Sequence, residues 1–269
     1  MPTPSSRHSH IGSKAPTLPC WLSPDEAHDH CCAGAGIFKF ASTFGGLDPD
    51  IVLVGIGADL TFEVIAASAY LQALIPMLSV RVVNVTDLMI LARESTHPHA
   101  LDDEVFNTLF TSSRPIHFNY HGYAHELQGL LFGRARLNRM TVSSYEEEGT
   151  TTTPLDMVIR NRCSRYHVAE AAVKALAKAN PDAGLDWQKF LAKIGKDLAR
   201  VQKWIWREGT DPPGTWDVPV FPTKAERHKE AEQQLRYEDT LLPKLWRRQK
   251  QEAGLLAKDE TNGERGIDV

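Results

Sequence analysis

Several things are scarce in this chain, and each scarcity excludes something. Basic residues do not outnumber acids: 30 lysines and arginines stand against 34 aspartates and glutamates, a formal net charge of −4. There is thus no general basic field to hold nucleic acid or an anionic membrane. Apolar runs are short. Ile51–Ile56 is among the longest and has the length of a strand, not of a bilayer span. The opening MPTPSSRHSH has no apolar h-region, so no secretory signal is expected. The four cysteines, Cys20, Cys31, Cys32 and Cys163, have no framework spacing, which points to a reducing, cytoplasmic setting. His28-Asp29-His30-Cys31-Cys32 holds metal-ligand types. On a helix only His28 and Cys32 would share a face, so no metal site is expected.

What remains is ordinary for a globular chain: 42% hydrophobic and 24% charged over 269 residues, room for one large domain or one domain with extensions. Residues 1–20, rich in Pro, Ser and His, read as a lead-in segment. Ser23-Pro24-Asp25-Glu26 reads as a helix start, with Ser as cap, Pro at the first position and Glu three after the cap. That helix is expected to stop near residues 34–36. From residue 50 to about 180, strand and helix patterns alternate. Strands are expected at Ile51–Ile56, Val80–Val85, Ile116–Tyr120 and 140–142, and helices at 61–74, 101–109 and 124–132. Such alternation predicts an α/β fold with a mostly parallel sheet and helices on both faces, a three-layer domain over residues 21–180. Residues 181–222 form a helical closing segment, with a helix over 187–206 broken by Asp211-Pro212-Pro213-Gly214. Residues 223–269 form a charged tail, partly helical (about 224–236) or disordered.

In parallel sheets ligands gather beyond the C-terminal ends of the strands. There Gly55 and Gly57 follow the first strand like a dinucleotide loop, but position 60 is leucine where a third glycine would stand. A tight strand-to-helix turn is the favoured reading. The alternative is an anion or effector loop of Gly55, Gly57, Thr61 and His121. His117, His121 and His125 recur every four residues, but His117 falls in a predicted strand, so the three share no helical face.

The segment YEEEGTTTTPLDMVIRNRCSRYH, residues 145–167, is the most distinctive stretch of the chain. Thr153 is suited to cap a helix with Pro154 first and Asp156 third. Ser164 is suited to cap the next helix, 165–179, with Val168, Ala172, Val173 and Leu176 as its buried stripe. Arg160, Arg162 and Arg165 are expected to pair with the glutamates at 146–148, with anion binding as the alternative. No lone nucleophile is paired with a base, so no catalytic residue is expected.

The same segment resembles the C-terminal domain of the xylulose-5-phosphate/fructose-6-phosphate phosphoketolases. So do IVLVGIGADLTFEVIAA, VRVVNVTDLMIL and HPHALDDEVFNTLFTSSRPIHFNYHGY, in the family's order and spacing, and the Asp211–Pro213 stretch. The likeness runs from about residue 21 to 173, and more loosely to 222. It implies a transketolase C-terminal-like domain. It also implies the context of an aldehyde-lyase of carbohydrate metabolism, which cleaves xylulose 5-phosphate or fructose 6-phosphate with phosphate to acetyl phosphate. The full family enzyme uses thiamine diphosphate and Mg, bound by two preceding domains. This chain shows no GDG…N stretch for that cofactor, so no cofactor is expected on the chain alone. Its implied partners are the missing catalytic domains, in cis or in trans, with a homo-oligomer plausible from family dimers. By the same likeness Lys14, in Gly12-Ser13-Lys14-Ala15-Pro16, contacts the substrate phosphate. Glu147, Gly149, Thr150, Thr151, Thr152, Thr153, Pro154 and Asp156 form a structural and interface motif. The chain is thus expected to be a domain fragment, inactive alone. The alternative is a free-standing module binding a nucleotide or sugar-phosphate effector.

Overall fold

β-branched and apolar runs build one five-stranded sheet in this computed structural model, which describes residues 18–94, 96–146, 152–181 and 183–223. The strands are β1 (Ala35–Ile37), β2 (Ile51–Ile56), β3 (Val80–Val85), β4 (Ile116–Tyr120) and β5 (Met140–Ser144), in the order β1-β3-β2-β4-β5. Every neighbouring pair is parallel except β1 with β3. The four parallel strands stand where the apolar runs place them. β1 is not visible in the sequence, because Ala-Gly-Ile is too short to show an alternating pattern. It exists because β3 offers an open edge, where Ala35 faces Val85 and Ile37 faces Val83.

Local signals set the helix starts. α1 (Pro24–Ala33) opens with a complete capping box: Ser23 Oγ accepts from the Glu26 amide and Glu26 Oε2 accepts from the Ser23 amide at 2.8 Å. α2 (Ala58–Leu74) begins three residues earlier than its apolar spacing suggests, directly after Gly57. α3 (Asp103–Phe110), α4 (Ala124–Leu131), α5 (Pro154–Arg160), α6 (Arg165–Ala179) and α7 (Trp187–Glu208) follow. Residues 1–17 of the expected lead-in 1–20, and the expected helix at 224–236 with the tail beyond it, lie outside the described residues.

Pleat alternation sends β2 side chains into two separate cores. Ile51 and Leu53 join Val64, Leu71, Val168, Val173 and Ile194 under α2, α6 and α7. Val52, Val54 and Ile56 join Phe106, Phe110, Phe118 and Leu127 under α3 and α4. The sheet is therefore covered on both faces. α2 is buried nearly all round, and its polar side chains have internal partners. Ser68 Oγ donates to the Ala41 carbonyl at 2.6 Å, and Gln72 Nε2 donates to the same carbonyl and to Ser68 Oγ.

Candidate functional site

The crest formed by the C-terminal ends of the parallel strands gathers Gly55, Gly57, Thr61 and His121. Gly57 has φ +94°, and a Cβ there would lie 2.6 Å from His121 Cβ. A Cβ on Gly55 would lie 2.7 Å from Thr61 Cα. Both glycines let backbone approach side chain. Thr61 faces inward, and its Oγ1 accepts from Asn84 Nδ2 at 2.9 Å. Asn84 also donates to the Gly55 carbonyl, and its Oδ1 meets His30 Nε2 at 2.7 Å. His121 is exposed and packs on Tyr145 at 4.8 Å between ring centroids. In this arrangement the Thr61 hydroxyl holds strand β3 to helix α2. The links from Asn84 to α1 and α2 carry no sequence motif and were missed.

Behind the crest sits a buried polar layer on the α2–α6 side. Glu63 is fully buried and bonds Arg165 through Nη2 at 2.6 Å and Nε at 3.0 Å. The Arg165 amide donates to the same carboxylate. Ser164 has the expected cap backbone but makes no capping bond; its hydroxyl meets His167 Nδ1 at 2.8 Å instead. Glu63 has taken over the helix start. Ser164 and His167 are at nucleophile–base distance, but Ser164 is fully buried and out of reach of a substrate. Burial, with Arg162 close by, pushes the His167 pKa down to about 4. Burial does the same to His117, whose Nδ1 meets Thr141 Oγ1 at 2.9 Å. The Cys163 thiol is pushed up to about 12, first by burial and then by Glu63. It stays protonated and unreactive at neutral pH.

The threonine segment closes the domain. Thr153 Oγ1 accepts from the Asp156 amide, with Pro154 at the first position of α5. Thr152 Oγ1 donates to Asp156 Oδ2 at 2.9 Å, and Arg160 Nε donates to the same oxygen at 2.7 Å. Asp211 accepts from the Leu155 amide at 3.1 Å and from Trp216 Nε1 at 2.9 Å. The helix after the threonines is thereby clasped to the Asp-Pro-Pro segment. Of the glutamates at 146–148 expected to pair with the arginines, Glu147 and Glu148 lie outside the described residues. Among the described residues Arg160 pairs with Asp156 one turn away, Arg162 with Glu170 and Arg165 with the buried Glu63. Lys14, Glu147, Gly149, Thr150 and Thr151 lie outside the described residues. A cleft of about 320 Å3 opens beside the clasp between Arg165, Arg200, Trp204 and Pro213. Both of its cations already have carboxylate partners, Glu63 and Asp197.

Residues 14–220 match the XFP C-terminal domain family. A "Probable phosphoketolase" of Schizosaccharomyces pombe is 46% identical over 214 residues, 80% of this chain and 26% of that protein. One from Brucella abortus is 38% identical, covering 73% of this chain and 26% of its own length. The chain belongs to the family of phosphoketolase C-terminal domains. It spans about a quarter of the length of these phosphoketolases, their C-terminal part. The match with the phosphoketolases gives no support to a free-standing effector-binding module. Transketolase from Leishmania mexicana aligns over 60% of this chain and 20% of its own, at 12% identity and a TM-score of 0.43. Among the described residues no helix is long and apolar enough to cross a membrane.

Among the described residues no three His, Cys, Asp or Glu side chains converge to hold a metal ion. The buried carboxylates have internal partners: Glu63 pairs with Arg165, Asp156 with Arg160 and Asp197 with Lys193, and Asp50 accepts from the Ser79 amide.

Proposed function

We propose that this chain is the C-terminal structural and assembly domain of a phosphoketolase and is catalytically silent alone. The observation that carries this is the confinement of a 46% identical match to one quarter of the relative's length. The geometry supports it: Thr61 with Asn84, Ser164 with His167 and Glu63 with Arg165 are bonded to one another. In the full enzyme the partners are the preceding domains, which bind thiamine diphosphate and Mg and perform the aldehyde-lyase reaction on a sugar phosphate. Lys14 would reach the substrate phosphate there as a point charge. The threonine motif, with Thr152, Thr153 and Asp156 organising the start of α5, serves packing and subunit assembly. The setting is cytoplasmic, in keeping with four unpaired cysteines.

The test is acetyl phosphate release from xylulose 5-phosphate and phosphate by the pure 269-residue protein. None is expected, and measurable turnover would overturn the reading. An antibody against residues 224–269 sharpens it in cell lysate. A polypeptide several times larger places the chain within an intact phosphoketolase. A band near the chain's own 30.0 kDa that carries no phosphoketolase partner argues against it.

A further inference from the structure

A ribbon of rings runs from Trp21 and the segment after α1 to Trp216. His30 packs on Phe38 at 5.4 Å, Phe38 on Phe40 at 5.2 Å, and Phe40 stacks on Trp21 at 5.5 Å with 17° between planes. Trp21 meets Phe62 at 6.1 Å, and Phe62 meets Trp216 at 5.3 Å. The ribbon thus joins the entry of the chain to its closing segment. Phe38 and Phe62 are buried, but Trp21 and Trp216 are only half-buried and Phe40 is 42% exposed. Val218 and Val220, just past Trp216, are 42% and 88% exposed. An open stacked Trp–Phe pair is the kind of anchor that interfaces use, a large apolar area held rigid in advance.

We propose that this ribbon, with Phe40 outermost, is the surface on which the preceding part of the phosphoketolase polypeptide seats. The inference rests on the phosphoketolase reading above and deepens it. Two facts choose the occupant. The relatives extend for about three times this chain's matched length, and the match falls on their C-terminal part. Trp21 stands seven residues after residue 14, where the family match begins, so in the relatives the preceding polypeptide joins close in sequence to the ribbon. The contact is an apolar one, with Lys39 exposed at its rim.

The experiment places the photo-crosslinking residue p-benzoylphenylalanine at Phe40 in cells that make the protein. Phe132, 78% exposed after α4 on the opposite face of the sheet, is the control position. Crosslinks from position 40 to phosphoketolase residues N-terminal to the matched region, roughly tenfold above those from position 132, are the expected result. Crosslinks from position 40 to a second copy of this chain, or equal yields at both positions, overturn the docking surface and leave the phosphoketolase reading standing. No phosphoketolase sequence crosslinked at either position, together with a lone band in lysate, sinks that reading itself. The same measurement from Lys39 serves if substitution at Phe40 unfolds the domain.

Discussion

The two faces of the sheet are held in different ways. Under α2, α6 and α7 the core is large, and its polar content is internal: Glu63 with Arg165, and Asp197 with Tyr70, Lys193 and Arg200. Under α3 and α4 the helices are only eight residues long, and guanidinium groups bind main-chain carbonyls. Arg134 is 4% exposed and donates to the carbonyls of Ile90, Leu91, Ala92 and Leu101. Its Cζ lies 4.3 Å from the centre of the Phe106 ring. Arg81 donates to Thr108 and Leu109, and Arg139 to Phe110 and Thr111. These are the last carbonyls of α3 and the residue after it, which no intrahelical donor satisfies. Long helices can bury acid–base pairs between them, whereas short helices leave orphan carbonyls that need cations.

The comparison can be broken most strongly on the first face. Glu63→Ala leaves Arg165, 16% exposed, without its carboxylate. The expected loss is about 3–5 kcal/mol in urea unfolding. Glu63→Leu combined with Arg165→Met should recover most of it, because an apolar pair of similar size removes both charges. A double variant no better than Glu63→Ala would show that the pair fixes the start of α6 as well as balancing charge.

Acid should act next, and again on that face. His117 and His167 both lie there, with pKa values about 4 against an ordinary 6.5. Between these values the folded chain binds fewer protons than the unfolded one. Stability is therefore full above about pH 6.5 and falls as pH drops towards 4. The loss is up to about 3 kcal/mol per histidine. His117→Asn should flatten that part of the pH profile by about half. An unchanged profile would place the acid sensitivity elsewhere.

On the second face the expected effect is smaller and more local. Arg134→Ala should cost about 2–3 kcal/mol, since carbonyls lose a charged donor. Hydrogen exchange should rise in α3 and in residues 88–101 but not in α6. Combined with Glu63→Ala the losses should add, because the two sites lie on opposite faces and share no partner. Strong coupling between them would show that the faces do not act independently.

Much of this architecture was readable from residue types alone. β2, β3 and β4 fall where the β-branched runs stand, because a strand buried on both faces has no polar period to blur its limits. α5 and α6 also start at the expected residues. The failures have a common cause. β1 needs the edge of β3, Ser164 loses its capping role to Glu63, and Arg165 takes a carboxylate 102 residues away. At the crest, the glycines were visible as turn formers. That Thr61 points inward to Asn84 was not, since a threonine one turn into a helix can face either way.

The sequence by itself determined the family, the class of fold, the parallel strands and the caps at Ser23 and Thr153, because these depend on short-range pattern and backbone preference. Tertiary structure alone decided which charge meets which. Glu63 and Arg165 stand 102 residues apart, and Asp211 and Leu155 stand 56 apart. Only the packing of α6 on α2, and of α5 against the end of α7, brings those groups within hydrogen-bond distance. Burial then makes each of those contacts strong and each missing partner costly.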